Sequence, residues 1–145
     1  MRIYYWCPYI GKVATIKAVK NSALALNKYS RSMIDTYLIN SIGEWDHLKD
    51  NNKYKTISFF KSNKINHLPK LGFLASRFTY LIIFFLTFVK LHNLLKKEKP
   101  EYIVVHLVTF TPLLLFYLFN YETKLILRIS GYPKLNLLRK YFWKW

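Results

Sequence analysis

The chain is 145 residues long, 52% hydrophobic and 19% aromatic, with 23 Lys plus Arg against 7 Asp plus Glu. That length fits one domain with a core of its own, and that apolar content excludes a disordered chain. A single cysteine, Cys7, excludes an internal disulfide framework and a zinc site built on several thiolates.

The first strand spans residues 3–7 and breaks at Pro8. The start, Met1-Arg2-Ile3-Tyr4-Tyr5-Trp6, belongs to that strand and not to a signal peptide, because it has no long apolar stretch and no small-residue cleavage site. A helix follows over residues 13–29, with Ile16, Val19, Ala23 and Leu26 on one face and Lys12, Lys17, Lys20 and Lys28 around it. Residues 36–39 form a second apolar strand, and a polar loop covers residues 43–52. Residues 55–60 form a third, weaker strand, and residues 63–72 a loop marked by Pro69 and Gly72. A long helix over residues 73–97 closes on Lys96-Lys97, the charge that suits a helix C-terminus, and Pro100 stops it. Residues 102–107 are a β-branched strand. Residues 112–119 read as a helix with Thr111 as N-cap and Pro112 at its first position. A fifth strand over residues 124–129 is broken by Gly131 and Pro133, and a last helix covers residues 135–145. Strands alternating with helices predict an α/β, Rossmann-like parallel sheet with helices on both faces, in one domain over residues 1–145. The strands are continuous apolar runs, which predicts that both faces of the sheet are covered.

The charge belongs to the body of this fold. Basic residues divide 12 to 11 between residues 1–72 and 73–145, so there is no basic tail. Eighteen are Lys and five are Arg, in a chain crowded with Asn, Ile, Phe and Tyr, so AT-rich codons account for part of the excess. A net charge of +16 still attracts polyanions, and nucleic acid and anionic lipid are the two ready candidates. No nucleic-acid recognition motif is present, and the aromatics do not interleave with Lys and Arg. An anionic membrane surface is therefore the expected partner, and nucleic acid is not.

Two stretches could be misread as membrane spans, and the first reaches the length of about 18 residues in the span rule. Residues 102–121 hold no Asp, Glu, Lys or Arg over 20 positions. His106, Pro112 and the polar break Thr109-Phe110-Thr111 instead predict a buried strand followed by a buried helix. Residues 78–89 are uncharged up to Lys90 and apolar on nearly every side. That helix is expected to be wedged against the sheet or partly sunk in lipid. An alternative reading makes the chain a small basic integral membrane protein that uses both stretches.

In an open α/β sheet, ligands bind beyond the carboxyl ends of the strands. After the first strand come Gly11 and Lys12, which lead into a helix N-terminus, a natural anion site. The three-glycine dinucleotide fingerprint is absent. After the second strand, Glu44 and Asp46 offer carboxylates to sugar hydroxyls. His106 ends the fourth strand. Arg128 and Ser130 close the fifth, with Arg128 suited to a phosphate or carboxylate. Together these groups make a mildly cationic edge fit for a phosphorylated, polyhydroxylated ligand.

Three segments carry a family resemblance: Tyr5-Trp6-Cys7-Pro8-Tyr9-Ile10-Gly11, Pro100-Glu101-Tyr102-Ile103-Val104-Val105-His106, and Arg128-Ile129-Ser130-Gly131-Tyr132-Pro133-Lys134-Leu135. With the order of elements, they resemble the N-terminal, acceptor-side domain of a bacterial GT-B-fold glycosyltransferase of the family 4 type. The resemblance implies a nucleotide-sugar donor, a saccharide or lipid-linked acceptor for surface polysaccharide or glycolipid, and no metal or other cofactor. It implies His106 as the catalytic contact to donor sugar and phosphate, and Gly11, Lys12, Arg128 and Ser130 facing the donor phosphates. Glu44 and Asp46 would meet the acceptor. Gly11 stands alone where the family carries a glycine pair, and Glu101 replaces the family's Asp. No two glutamates show the Glu-x7-Glu spacing of the family's donor domain. The expectation is a transferase half, inactive without a donor domain, in the cytoplasm or on the inner membrane face.

Overall fold

The β-branched run Ile103-Val104-Val105 and the aromatic run Tyr4-Tyr5-Trp6 pair side by side at the middle of a parallel sheet. β-branched and aromatic side chains suit a pleated, covered surface, and both runs are covered here. The computed structural model describes residues 1–11, 14–31, 33–48, 53–64, 68, 73–107 and 110–128. Its five strands are β1 (Arg2–Trp6), β2 (Asp35–Asn40), β3 (Lys55–Ser58), β4 (Tyr102–His106) and β5 (Lys124–Arg128). Its helices are α1 (Ala14–Tyr29), α2 (Phe73–Glu98) and α3 (Phe110–Leu118), with one 3-10 turn at Asp46–Leu48. The sheet order is β3-β2-β1-β4-β5 and every pair is parallel. This is a Rossmann-like α/β fold. The direction of winding reverses between β1 and β4, which makes that pair the topological switch point.

Each strand and helix expected within the described residues is present, with small shifts at the ends. β1 begins at Arg2 because the Asp35 amide donates to the Met1 carbonyl at 2.8 Å and extends the ladder. β4 stops at His106 because Leu107 takes a left-handed φ of 58°. Helix α3 starts at Phe110, so Thr111 and Pro112 lie buried inside its first turn and are not its cap and first residue. Pro112 is tolerated there because the first turn needs no intrahelical N–H donors. The helix expected over residues 135–145 lies outside the described residues.

The sheet carries a core on each face. On one, Val19 and Ala23 of α1 meet Ile3, Tyr5 and Leu38, with Trp45 and Leu48 beside them. On the other, Leu91 and Leu95 of α2 and Leu115 of α3 meet Tyr4, Trp6, Ile39, Ile103 and Val105. Among the described residues, β5 has no helix packed on its α1-side face. Its outward residues Lys124, Ile126 and Arg128 are exposed, because α1 spans β1 and β2 and the described residues supply no second helix on that face.

Helix α2 is longer than the sheet it covers. Its 26 residues span about 39 Å at 1.5 Å per residue, against roughly 17 Å for a five-residue strand. Its residues in the core cluster, Leu91 and Leu95 with Phe88 and Leu94 packed around them, all lie in the C-terminal half. The N-terminal half therefore overhangs the carboxyl edge of the sheet, where it meets the start of α3 through Phe84 and Phe110, ring centroids 5.4 Å apart. The helix ends at Lys99, a non-glycine residue at φ 43°, whose amide still reaches the Leu95 carbonyl at 3.1 Å.

Leu91→Ala removes a fully buried side chain from the seated half of α2. It should cost about 3 kcal/mol by chemical denaturation. A loss below about 1 kcal/mol would mean that this half is not held by the core.

Candidate functional site

Five parallel strands put five carboxyl ends on one edge, and the loops there are built by local polar bonds. Asn40 ends β2 and all of its side-chain bonding capacity is used. Its Oδ1 accepts from the amides of Gly43 (3.1 Å) and Trp45 (3.0 Å). Its Nδ2 donates to Asp46 Oδ1 (2.7 Å) and to Ser58 Oγ at the end of β3 (3.2 Å). Gly43 turns at φ 104°, and a Cβ there would come within 2.7 Å of the Asn63 side chain. Glycine is required at that point by both conformation and space.

Glu44 points into this loop. Its Oε1 accepts from the Ser41 amide (2.9 Å) and hydroxyl (2.6 Å), and its Oε2 from the Ile42 amide (2.7 Å). Burial raises its pKa, and the three donors pull in the opposite direction. Tyr9, from the loop after β1, donates its hydroxyl to the Glu44 carbonyl at 2.5 Å and meets the Trp45 ring edge-on at 5.0 Å. The two carboxylates expected to meet an acceptor thus have different situations. Glu44 braces its own loop from inside, and Asp46 is half-buried against Asn40.

His106 and Arg128 are register partners on β4 and β5, and both project on the α1 face. His106 is 1% exposed, with its ring 5.8 Å from that of Tyr5. Its Nε2 has no hydrogen-bond partner among the described residues. Burial, with the Arg128 guanidinium adding to it, lowers its pKa from 6.5 to about 4. At neutral pH it is therefore a neutral imidazole, able to give or accept one hydrogen bond but not to act as a cation. Leu107, directly after it, holds the left-handed φ already noted. That is unusual for a non-glycine residue, and such strain gathers at ligand sites. Arg128 is exposed, and no carboxylate pairs with it among the described residues.

Gly11 is exposed just before α1 and has open space where a Cβ would sit, so neither crowding nor strain demands glycine there. Lys12 and Ser130 lie outside the described residues. Cys7, between Trp6 and Pro8, is fully buried, and burial pushes its thiol to about 12, so it is not a nucleophile. Among the described residues no group of three His, Cys, Asp or Glu side chains converges on a metal position.

The other face of the same edge carries a cleft of about 400 Å³ between the overhang of α2 and the start of α3. Arg77, Tyr80, Phe84, Phe110 and Thr111 line it. Burial raises the Tyr80 phenol, and Cys7 after β1 adds to that, which sets the cleft beside the switch point. Sequence reading missed this cleft because Arg77 and Phe110 come together only through α2 and α3 packing. It also missed Asn40. An Asn at a strand end before Ser-Ile-Gly is a turn-forming signal, but its four partners are spread from Gly43 to Ser58.

Compared with known proteins, the chain matches no family profile, no curated sequence and no solved structure.

Two outcomes follow from this geometry. Asn40→Ala strips the bonds that join β2, β3 and the intervening loop, and should lower stability by about 2–4 kcal/mol in a denaturant titration. For His106 the unfolded chain takes up a proton near pH 6.5 and the folded chain only near 4. The stabilising contribution is complete above pH 6.5 and is lost as pH falls through 4, up to about 3 kcal/mol. The carboxyls of Asp35, held low by Lys55, and Glu101, held low by the Arg2 amide, act in the same acid limb. The measurement is therefore the pH profile of stability for wild type and for His106→Gln: the variant's acid limb should be shallower between pH 6.5 and 4, so the difference between the two changes by up to about 3 kcal/mol across that window. Parallel pH profiles for the two proteins would show that burial does not suppress His106 protonation.

Proposed function

We propose that this chain is the acceptor-binding half of a nucleotide-sugar-dependent glycosyltransferase, working in the cytoplasm on a saccharide or lipid-linked acceptor of surface polysaccharide or glycolipid synthesis. One observation supports the reading most. At the carboxyl end of the switch-point strand, a buried neutral His106 lies in register with an exposed Arg128, on the same sheet face as α1 and on the edge where α1 begins. A helix N-terminus and an adjacent guanidinium favour a diphosphate, and a neutral imidazole favours a hydroxyl or a ring oxygen. In this reading His106 is the contact to the transferring sugar. Gly11, Lys12, Arg128 and Ser130 face the donor phosphates, which a second domain would hold from across the cleft. Turnover needs both halves, because transfer requires donor and acceptor held in one geometry.

A second reading, an integral membrane protein, has one observation in its favour. The stretch Arg77–Glu98 has a mean hydropathy of 1.7 and is long enough to cross a bilayer. Residues 102–121, the second apolar stretch, fold as β4 followed by the nine-residue α3.

Binding of the purified chain to a panel of nucleotide sugars and of surface-polysaccharide oligosaccharides tests the transferase reading. Saturable binding of an oligosaccharide is expected, with a weaker nucleotide-sugar affinity that Arg128→Ala or His106→Gln lowers about tenfold (about 1.4 kcal/mol) while oligosaccharide binding is kept. Failure of every saccharide and every nucleotide sugar to bind would end this proposal.

A further inference from the structure

The overhang of α2 leaves an apolar stripe in water. Phe78, Phe85 and Val89, spaced seven and four apart, lie on one line of the helix and are 59%, 69% and 62% exposed. Leu81 flanks the line and is half in water. Beside it, α3 leaves Phe110 and Tyr117 52% and 85% exposed, and that helix has no charged residue. Residues three, four and seven apart share a helix face, so this is one surface and not scattered side chains. A contiguous apolar patch of this kind on a folded protein marks a contact with something else.

The charges around the stripe identify that contact. Lys96 stands on the same line as Phe85 and Val89, one heptad beyond Val89. Arg77 is exposed on one flank, and Lys90 and Lys97 are exposed on the other. The one acidic residue of α2 is Glu98, at its end, and it pairs with Arg2 at 3.2 Å. An apolar strip bordered by cations and clear of acids complements an anionic lipid surface, where acyl chains lie below a layer of phosphates. A second copy of this chain would bring the same cations together, which opposes self-association at net charge +16.

We infer that the outer face of α2 and α3 docks the protein on an anionic membrane, with the overhang lying in the headgroup layer. The inference does not depend on the transferase reading. The helix lies on the bilayer and does not cross it, because Leu91 and Leu95 in its second half are locked into the core on β1 and β4. Docking by this face also opens the cleft between Arg77, Tyr80 and Phe110 at headgroup depth.

The test uses the full chain and two kinds of vesicle, phosphatidylcholine alone and phosphatidylcholine with phosphatidylglycerol. The chain should cosediment with the second and much less with the first, and raising salt from about 0.05 M to about 0.5 M should weaken binding at least about tenfold. Phe85→Asp with Val89→Asp should abolish binding while the circular dichroism spectrum and melting temperature stay native. The control pair Tyr29→Asp and Met33→Asp, exposed residues at the end of α1 and in the turn that follows it, should bind as wild type. A site probe guards against a variant that fails to fold. Cys7 is buried and unreactive, so a polarity-sensitive thiol dye reports on an added cysteine alone. The dye at Phe85→Cys should shift to the blue with anionic vesicles, and the dye at Lys17→Cys on α1 should not. Three outcomes overturn the inference: a dye at Phe85→Cys that shifts before lipid is added and in step with dimer formation, binding that resists both high salt and carbonate as a spanning helix would, or equal binding by the Phe85–Val89 double variant.

Discussion

The parallel pairing of β1 with β4 is the constraint on which the rest of this molecule depends. It joins residues about a hundred positions apart in sequence and buries Tyr4, Tyr5 and Trp6 almost completely. Each such side chain contributes about 1.5–3 kcal/mol when it leaves water, so the centre of the sheet outweighs any single surface contact. Because β1 points the same way as β4, the ends of both strands, Cys7 to Gly11 and His106 to Leu107, reach the same edge. A chain that paired them antiparallel would send these segments to opposite ends of the sheet, and no site could combine them.

The length of α2 is a second constraint, and it follows from the first. The crossover from β3 to β4 must pass over β2 and β1, and a strand-length helix would be long enough for that. This helix is about twice as long, so half of it has no sheet to cover. The excess is apolar where a solvated overhang would be charged. Burial of Thr79 and Thr87 on its inner side marks the boundary, since Thr87 satisfies its hydroxyl by returning it to the Ile83 carbonyl at 2.6 Å. Evidently the inner face of the overhang is finished by the protein itself, through α3, and the outer face is left for another surface.

The polar groups at the carboxyl edge divide by the same logic. On the β2 side most of the bonds close locally, Asn40 with Gly43, Trp45, Asp46 and Ser58, Glu44 with Ser41, Ile42 and Tyr9, and the buried Trp45 Nε1 alone in that loop has no partner among the described residues. On the β4 and β5 side the bonding is left open. His106 Nε2 has no partner among the described residues, Leu107 is held in a strained conformation, and Arg128 stands in water. Buried polar atoms are nearly always satisfied, so an unsatisfied one beside a strained residue and an exposed cation is where a ligand would relieve the most.

Within the described residues, the order of elements and the parallel sheet were legible in the sequence, since both follow from local patterns: β-branched runs, a 3.6-residue period in α1, and Pro and Lys at the helix ends. The placement of His106 and Arg128 at strand ends was legible for the same reason. Their pairing across β4 and β5 was not, because register is set by cross-strand packing. Glu44 looked like a surface carboxylate in a polar loop, and its inward turn depended on Ser41 and Ile42 amides that only the folded loop presents. The apolar run from Phe78 to Val89 was visible as a run. Which of its sides faces the protein was decided by the tertiary structure, because the sheet has a finite width and α3 covers only one side of what extends beyond it.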